Sequence, residues 1–276
     1  MHTLSAGAPM GPYELVRVIG SGGMGIVYEA RHRALGRRVA VKVLHARVET
    51  AASGEIASAR FLREGRAAAQ VRHPNVVDVF DFGVQDGVPY LAMELVDGET
   101  LAQLLSREGP LPLPRVAELL LPIIAAVAEL HVAGVVHRDL KPANILLARE
   151  RGVVVPKVAD FGLSRIDDGS PALTASNVVV GTYAYMSPEQ ARASKDTTER
   201  SDQYALGVVL YECATGGRPF TGGAPYELLH AIVHETLAPP SSRRPGLPLT
   251  FDAMVLRAMA RDPADRFAAV DELGEA

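Results

Sequence analysis

His137-Arg138-Asp139-Leu140-Lys141-Pro142-Ala143-Asn144 decides how this chain is read, and Asp160-Phe161-Gly162 begins sixteen residues after its last member. The first stretch brings a carboxylate, an ammonium and an amide within eight residues. The second adds another carboxylate, followed by a glycine that can turn the backbone. Phosphoryl transfer calls for groups of these kinds. One orients a hydroxyl, one offsets charge on the moving phosphoryl, and two oxygens serve Mg²⁺.

Upstream, Tyr13 to Ile19 alternates like a half-exposed strand and runs into Gly20-Ser21-Gly22-Gly23-Met24-Gly25-Ile26-Val27-Tyr28. A Gly-x-Gly-x-x-Gly pattern alone is ambiguous, because a dinucleotide-binding turn has the same letters. That alternative needs a helix next and an acidic residue about twenty positions on. Here β-branched and aromatic residues continue as strand, so the glycines are read as a hairpin tip whose bare amides can lie over phosphate oxygens. Val39 to Leu44 is a short apolar strand carrying Lys42, and lysine is rarely buried without a partner.

On these motifs the chain resembles a eukaryotic-type (Hanks-type) protein serine/threonine kinase domain, bacterial branch; Lys141-Pro142-Ala143-Asn144 is similar to the serine/threonine version. The resemblance runs from about Tyr13 to Leu273. It implies an α+β, bilobal protein-kinase fold: a small antiparallel-sheet N-lobe with one regulatory helix and a larger, mainly helical C-lobe. The expected boundaries are a leader over 1–12, an N-lobe over 13–97 and a C-lobe over 98–276, with an activation segment over 160–189. Two alternatives stay open: a pseudokinase or nucleotide-binding scaffold on the same fold, and a small-molecule kinase.

The resemblance also assigns roles. Asp139 orients the substrate hydroxyl and accepts its proton, and Lys141 neutralises charge on the γ-phosphoryl. Lys42 contacts the α- and β-phosphates and pairs with a glutamate on the next helix. Glu64, in the helical-looking 59–69 stretch, fills that place, with Glu55 as its rival. Asn144 and Asp160 hold Mg²⁺. Ile19, Gly20, Gly22, Gly25, Val27, Ala40, Met93, Glu94 and Val96 line the ATP site, with Met93 as gatekeeper and Glu94 to Val96 as hinge. Thr174 and Ser176 are the expected autophosphorylation sites, with Arg138 and Arg165 as candidate phosphate-binding residues. His137 is expected to be a packed structural residue, and Asp202 to hold the catalytic-loop backbone. Ser187-Pro188-Glu189 departs from the usual pattern by one hydroxyl, and Glu189 is expected to pair with Arg266. The implied partners are ATP, Mg²⁺ and protein substrates with serine or threonine acceptors, together with a kinase-domain dimer for trans-autophosphorylation.

Composition narrows the classes further. Over 276 residues, 48% apolar and 22% charged content provides for a substantial core. A net charge of -4 gives no case for nucleic acid. The single cysteine, Cys213, excludes an internal disulfide or a cysteine-clustered metal site and is expected in the core. No apolar run reaches the roughly 18 residues of a membrane span, and Met1 to Met10 has no signal-peptide pattern. A cytoplasmic location is therefore expected, with no membrane contact from this segment and with sensory or anchoring segments able to follow it. Strands are expected over Val76 to Phe82 and Pro89 to Leu95. A long helix is expected from Leu111–Pro114 to about His131, kinked at Pro122.

Overall fold

The computed structural model describes residues 4–22, 25–44, 69–160, 183–192 and 197–276. Glu55, Glu64, Arg165, Thr174 and Ser176 lie outside the described residues. The chain divides into two compact units. Among the described residues, one takes the chain up to Arg72 and Val77–Asp97, and the other takes His73–Val76 and the chain from Gly98 onward.

The first unit is a six-stranded antiparallel sheet of β1 (Pro9–Met10), β2 (Tyr13–Gly22), β3 (Gly25–His32), β4 (Arg38–Leu44), β5 (Val79–Gln85) and β6 (Val88–Met93), in the order β1-β2-β3-β4-β6-β5. Side chains alternate across a pleated strand, so one face collects Tyr13, Leu15, Tyr28, Ala30, Val41, Val43, Tyr90 and Ala92 into a core. The opposite face carries the intervening residues, with Leu44 and Leu91 packed against Val79 and Phe82. β1 falls within the expected leader. The strand expected from Val76 instead begins at Val79, because Val76 leaves to form an isolated parallel bridge with Val158. Asp86 and Gly87, with φ of 51° and 78°, turn β5 into β6; successive positive φ values match a hairpin's twist.

The second unit has a small sheet and a helical body. β7 (Gly98–Thr100) leads into α1 (Leu101–Glu108), which Thr100 and Gln103 close with a capping box. Helix α2 (Leu113–Val132) runs unbroken past Pro122. It buries Val116, Leu119, Leu120, Ile123, Ile124, Val127 and Leu130, the three- and four-residue spacing of one helix face. A hairpin of β8 (Ile145–Glu150) and β9 (Val153–Val158) pairs with β7 in the order β7-β8-β9. There follow α3 (Pro188–Ala191), α4 (Glu199–Thr215), α5 (Pro225–His234), α6 (Pro240–Arg243), α7 (Leu249–Ala258) and α8 (Val270–Glu275). Helix α4 is buried from Ser201 through Tyr211, and Cys213 is fully buried in it. Among the described residues no helix is long and apolar enough to cross a membrane.

Candidate active site

Two successive amides of the loop after α2 find their acceptors on α4. Asp202 supplies the acceptors: its Oδ2 takes the N–H of His137 at 2.7 Å and its Oδ1 takes that of Arg138 at 2.7 Å. The same carboxylate meets His131 Nε2 from α2 at 2.8 Å. Charge-assisted bonds of this length are about twice as strong as neutral ones. They hold Arg138 at φ 66°, a left-handed conformation that a side-chain-bearing residue adopts only when its surroundings dictate it. Gln190 Nε2 donates to the Arg138 carbonyl at 3.2 Å from the other side.

His137 is completely buried, and its two ring nitrogens have distinct partners. Nδ1 lies 3.3 Å from the Asp139 N–H and therefore accepts; Nε2 lies 3.0 Å from the Ala159 carbonyl and therefore donates. One donor and one acceptor describe a neutral imidazole. Burial pushes its pKa down, against the pull of Asp202 and Asp139. It is a packed spacer between two strands of the loop, as the sequence leads one to expect.

Asp139 is aimed by its neighbours. Lys141 Nζ reaches both carboxylate oxygens, at 3.1 and 2.8 Å. Asn144 donates its amide hydrogens to the Asp139 carbonyl at 2.8 Å and to Oδ2 at 3.1 Å. With its NH₂ so occupied, Asn144 keeps Oδ1 to accept or to ligate a hard cation. A single 3-10 turn, Pro142–Asn144, compresses these groups together. The β8–β9 register sets Ile145 opposite Val158, and the Ala159 N–H bonds the Asn144 carbonyl at 2.9 Å. Asp160 therefore follows Asn144's own partner by one residue, at φ 60°. An amide oxygen and a carboxylate from adjacent strand ends are the all-oxygen donor set that suits Mg²⁺.

In the first unit, pairing lines up Gly20, Val27, Lys42 and Leu91 across β2, β3, β4 and β6. Ala40 and Met93 face each other two pairs along. Val27, Ala40, Lys42 and Met93 thus share the sheet face opposite the apolar core, and Lys42 is 6% exposed. A Cβ on Gly22 would meet nothing within 4 Å, so open space stands beside the hairpin's backbone there. Ile19 is at a register irregularity and is exposed. The Glu94 N–H bonds the Asp78 carbonyl at 2.8 Å, while Val96 is partly exposed.

The structure thus brings Asp139, Lys141, Asn144 and Asp160 together in one unit and gathers Val27, Ala40, Lys42 and Met93 on one sheet face in the other. Two anchoring residues were missed by sequence reasoning. His131 gave only helical spacing as a signal, and Gln190 gave only its position after Ser187-Pro188-Glu189. Glu189 and Arg266 do form a buried bidentate pair, both bonds 2.8 Å. The Ser201 hydroxyl adds a third bond to Glu189 at 2.7 Å. Ser187 caps α3 and, with Gln190, completes a capping box, a place for its hydroxyl where the usual alanine has none.

A protein kinase domain family model matches residues 13–274. Among curated proteins, the chain is 42% identical over 266 residues to the serine/threonine-protein kinase pkn3 of Myxococcus xanthus, covering 94% of this chain and 48% of that protein. It is also 42% identical over 266 residues to the serine/threonine-protein kinase PknB of Mycobacterium tuberculosis, covering 95% and 41%. The chain therefore spans less than half the length of these relatives. The solved PknI kinase domain of Mycobacterium tuberculosis superposes with a TM-score of 0.77 at 28% identity, covering 99% of this chain and 98% of that one. With its sheet unit, its helical unit and this loop, the chain belongs to the protein kinase domain family and has the kinase fold.

Proposed function

We propose that the chain transfers the γ-phosphoryl of ATP to serine and threonine hydroxyls of protein substrates. The observation that carries this reading is Asp139 held by Lys141 and Asn144 in a loop tied to Asp202. An aspartate so oriented, and only about one-fifth exposed, can receive a substrate hydroxyl and accept its proton. Lys141, alongside it, offsets charge on the transferred group. ATP with Mg²⁺ supplies the activated phosphoryl and the cation that bridges its oxygens. Asn144 and Asp160 would hold the metal, and Lys42 with the glycine hairpin would bind the phosphates. Ile19, Gly20, Gly22, Gly25, Val27, Ala40, Met93, Glu94 and Val96 would surround the nucleotide.

The finer assignments belong to the same proposal: lobes over 13–97 and 98–276, an activation segment over 160–189, and Glu64 as the partner of Lys42. Autophosphorylation at Thr174 and Ser176 in a kinase-domain dimer would switch the enzyme on, and a cytoplasmic site of action follows from its need for ATP. Turnover of about 1–100 s⁻¹ is ordinary for the class.

The test is incubation with labelled ATP, Mg²⁺ and a generic basic protein, followed by phosphoamino-acid analysis. Phosphoserine and phosphothreonine are expected, and both vanish in Asp139→Asn. Nucleotide binding without any transfer would leave a scaffold. Mass spectrometry of the active protein beside Asp139→Asn tests Thr174 and Ser176, and an active protein with neither phosphorylated removes them.

A further inference from the structure

Helix α5 spans Pro225–His234 and buries Leu228, Ala231, Ile232 and Val233. Its other face is open, and Tyr226, His230 and His234 stand on it at successive four-residue intervals, all exposed. Residues four apart on a helix are neighbours, and here the imidazoles of His230 and His234 approach to 4.6 Å between centroids with their planes 40° apart. Neither ring has a hydrogen-bond or ion-pair partner among the described residues. The adjacent Glu227 carboxylate is already directed elsewhere. Glu227 turns back to the start of the helix, where it accepts from the Gly223 and Ala224 N–H groups at 2.9 and 3.1 Å and meets the Tyr226 hydroxyl at 3.2 Å.

Two exposed rings this close on one helix face can each bring a ring nitrogen to the same cation through side-chain rotation. We propose that His230 and His234 form a bidentate site for a divalent transition-metal cation, with Cu²⁺ preferred over Zn²⁺ and water completing the shell. Imidazole nitrogens suit borderline cations, whose bonds to nitrogen run near 2.0–2.1 Å for zinc. The order of affinities for a nitrogen site puts Cu²⁺ first. The helix itself provides the preorganisation: α5 is anchored by its apolar face, so the second ring is delivered to a metal already held by the first. That gain depends on effective concentration rather than on any new contact. The site is separate from Asp139, Lys141, Asn144 and Asp160, and does not depend on the phosphoryl-transfer reading.

Binding is measured on the whole chain with Cu²⁺ alone and with Zn²⁺ alone, by calorimetry, and for Cu²⁺ also by electron paramagnetic resonance. One equivalent is expected, with Cu²⁺ tighter than Zn²⁺ and nitrogen couplings from two imidazoles. His230→Ala and His234→Ala should each weaken Cu²⁺ binding about a hundredfold, and circular dichroism of both variants should match the parent. Six other histidines are present in the chain, so the double variant is decisive. Unchanged Cu²⁺ uptake in His230→Ala/His234→Ala overturns the proposal. So does a one-nitrogen spectrum, or the absence of uptake by the parent.

Discussion

Asp202 and Arg138 are 64 positions apart in the chain, yet the carboxylate of one lies 2.7 Å from the backbone N–H of the other. That contact, with its companion at His137, fastens the loop bearing Asp139 to the most deeply buried helix of its unit. The loop's chemistry depends on a residue that touches no reacting group.

Replacing Asp202 with alanine leaves two loop amides without their acceptor and frees Arg138 from its left-handed conformation. Unsatisfied buried donors cost about 1–3 kcal/mol each, so an unfolding free energy lower by about 2–6 kcal/mol is expected in denaturant titration. In surviving protein kcat falls far more than the KM for ATP. Asp202→Asn, which keeps one oxygen, should recover part of both. An Asp202→Ala protein with parental stability and kcat would contradict the anchoring role.

His137 makes stability depend on pH. Burial lowers its folded pKa below the ordinary 6.5, so the unfolded chain takes up a proton that the folded chain refuses. Its contribution is complete above pH 6.5 and declines as the pH falls below that value, with a limiting slope of about 1.4 kcal/mol per pH unit. Chemical denaturation between pH 7 and pH 5 should show this slope, and His137→Asn should flatten it. Equal slopes in both proteins would assign the proton elsewhere.

Glu189 and Arg266 behave in the same sense at lower pH. Burial would raise the Glu189 carboxyl, but the Arg266 guanidinium and the Ser201 hydroxyl outweigh it and hold the pKa at about 2 rather than 4.5. Its stabilisation is full above pH 4.5 and is lost as the pH drops toward 2. Arg266→Ala strands a buried carboxylate and should lower stability by about 3–5 kcal/mol, with acid unfolding moved to higher pH. Thermal melts across pH 2–6 measure both effects.

Two glycines of the hairpin should respond oppositely to alanine. At Gly25 a Cβ would sit 2.3 Å from the Val43 carbonyl oxygen, so β3 or β4 must shift. Overpacking of this kind costs about 1–3 kcal/mol. At Gly22 a Cβ meets open space, so Gly22→Ala should melt like the parent while binding ATP more weakly. Parallel melting curves and nucleotide titrations separate the two; identical behaviour would remove the distinction.

Much of this protein was legible from residue order. The Asp139, Lys141 and Asn144 cluster is local, packed into six residues by a single 3-10 turn, and so spacing alone placed it. The alternation of β4 likewise put Ala40 and Lys42 on one face, since a strand's period leaves no other choice, while the strand register added Val27 and Met93 to it. Packing decided what chain distance hides. Val76 abandons its expected strand to bridge Val158, two residues of the expected leader pair with β2, and His131 and Gln190 become supports of the loop that carries Asp139. The bridge of Val76 and the bonds of His131 and Gln190 depend on groups 52 to 82 positions away. A linear pattern records which groups need partners, but only the folded chain supplies them.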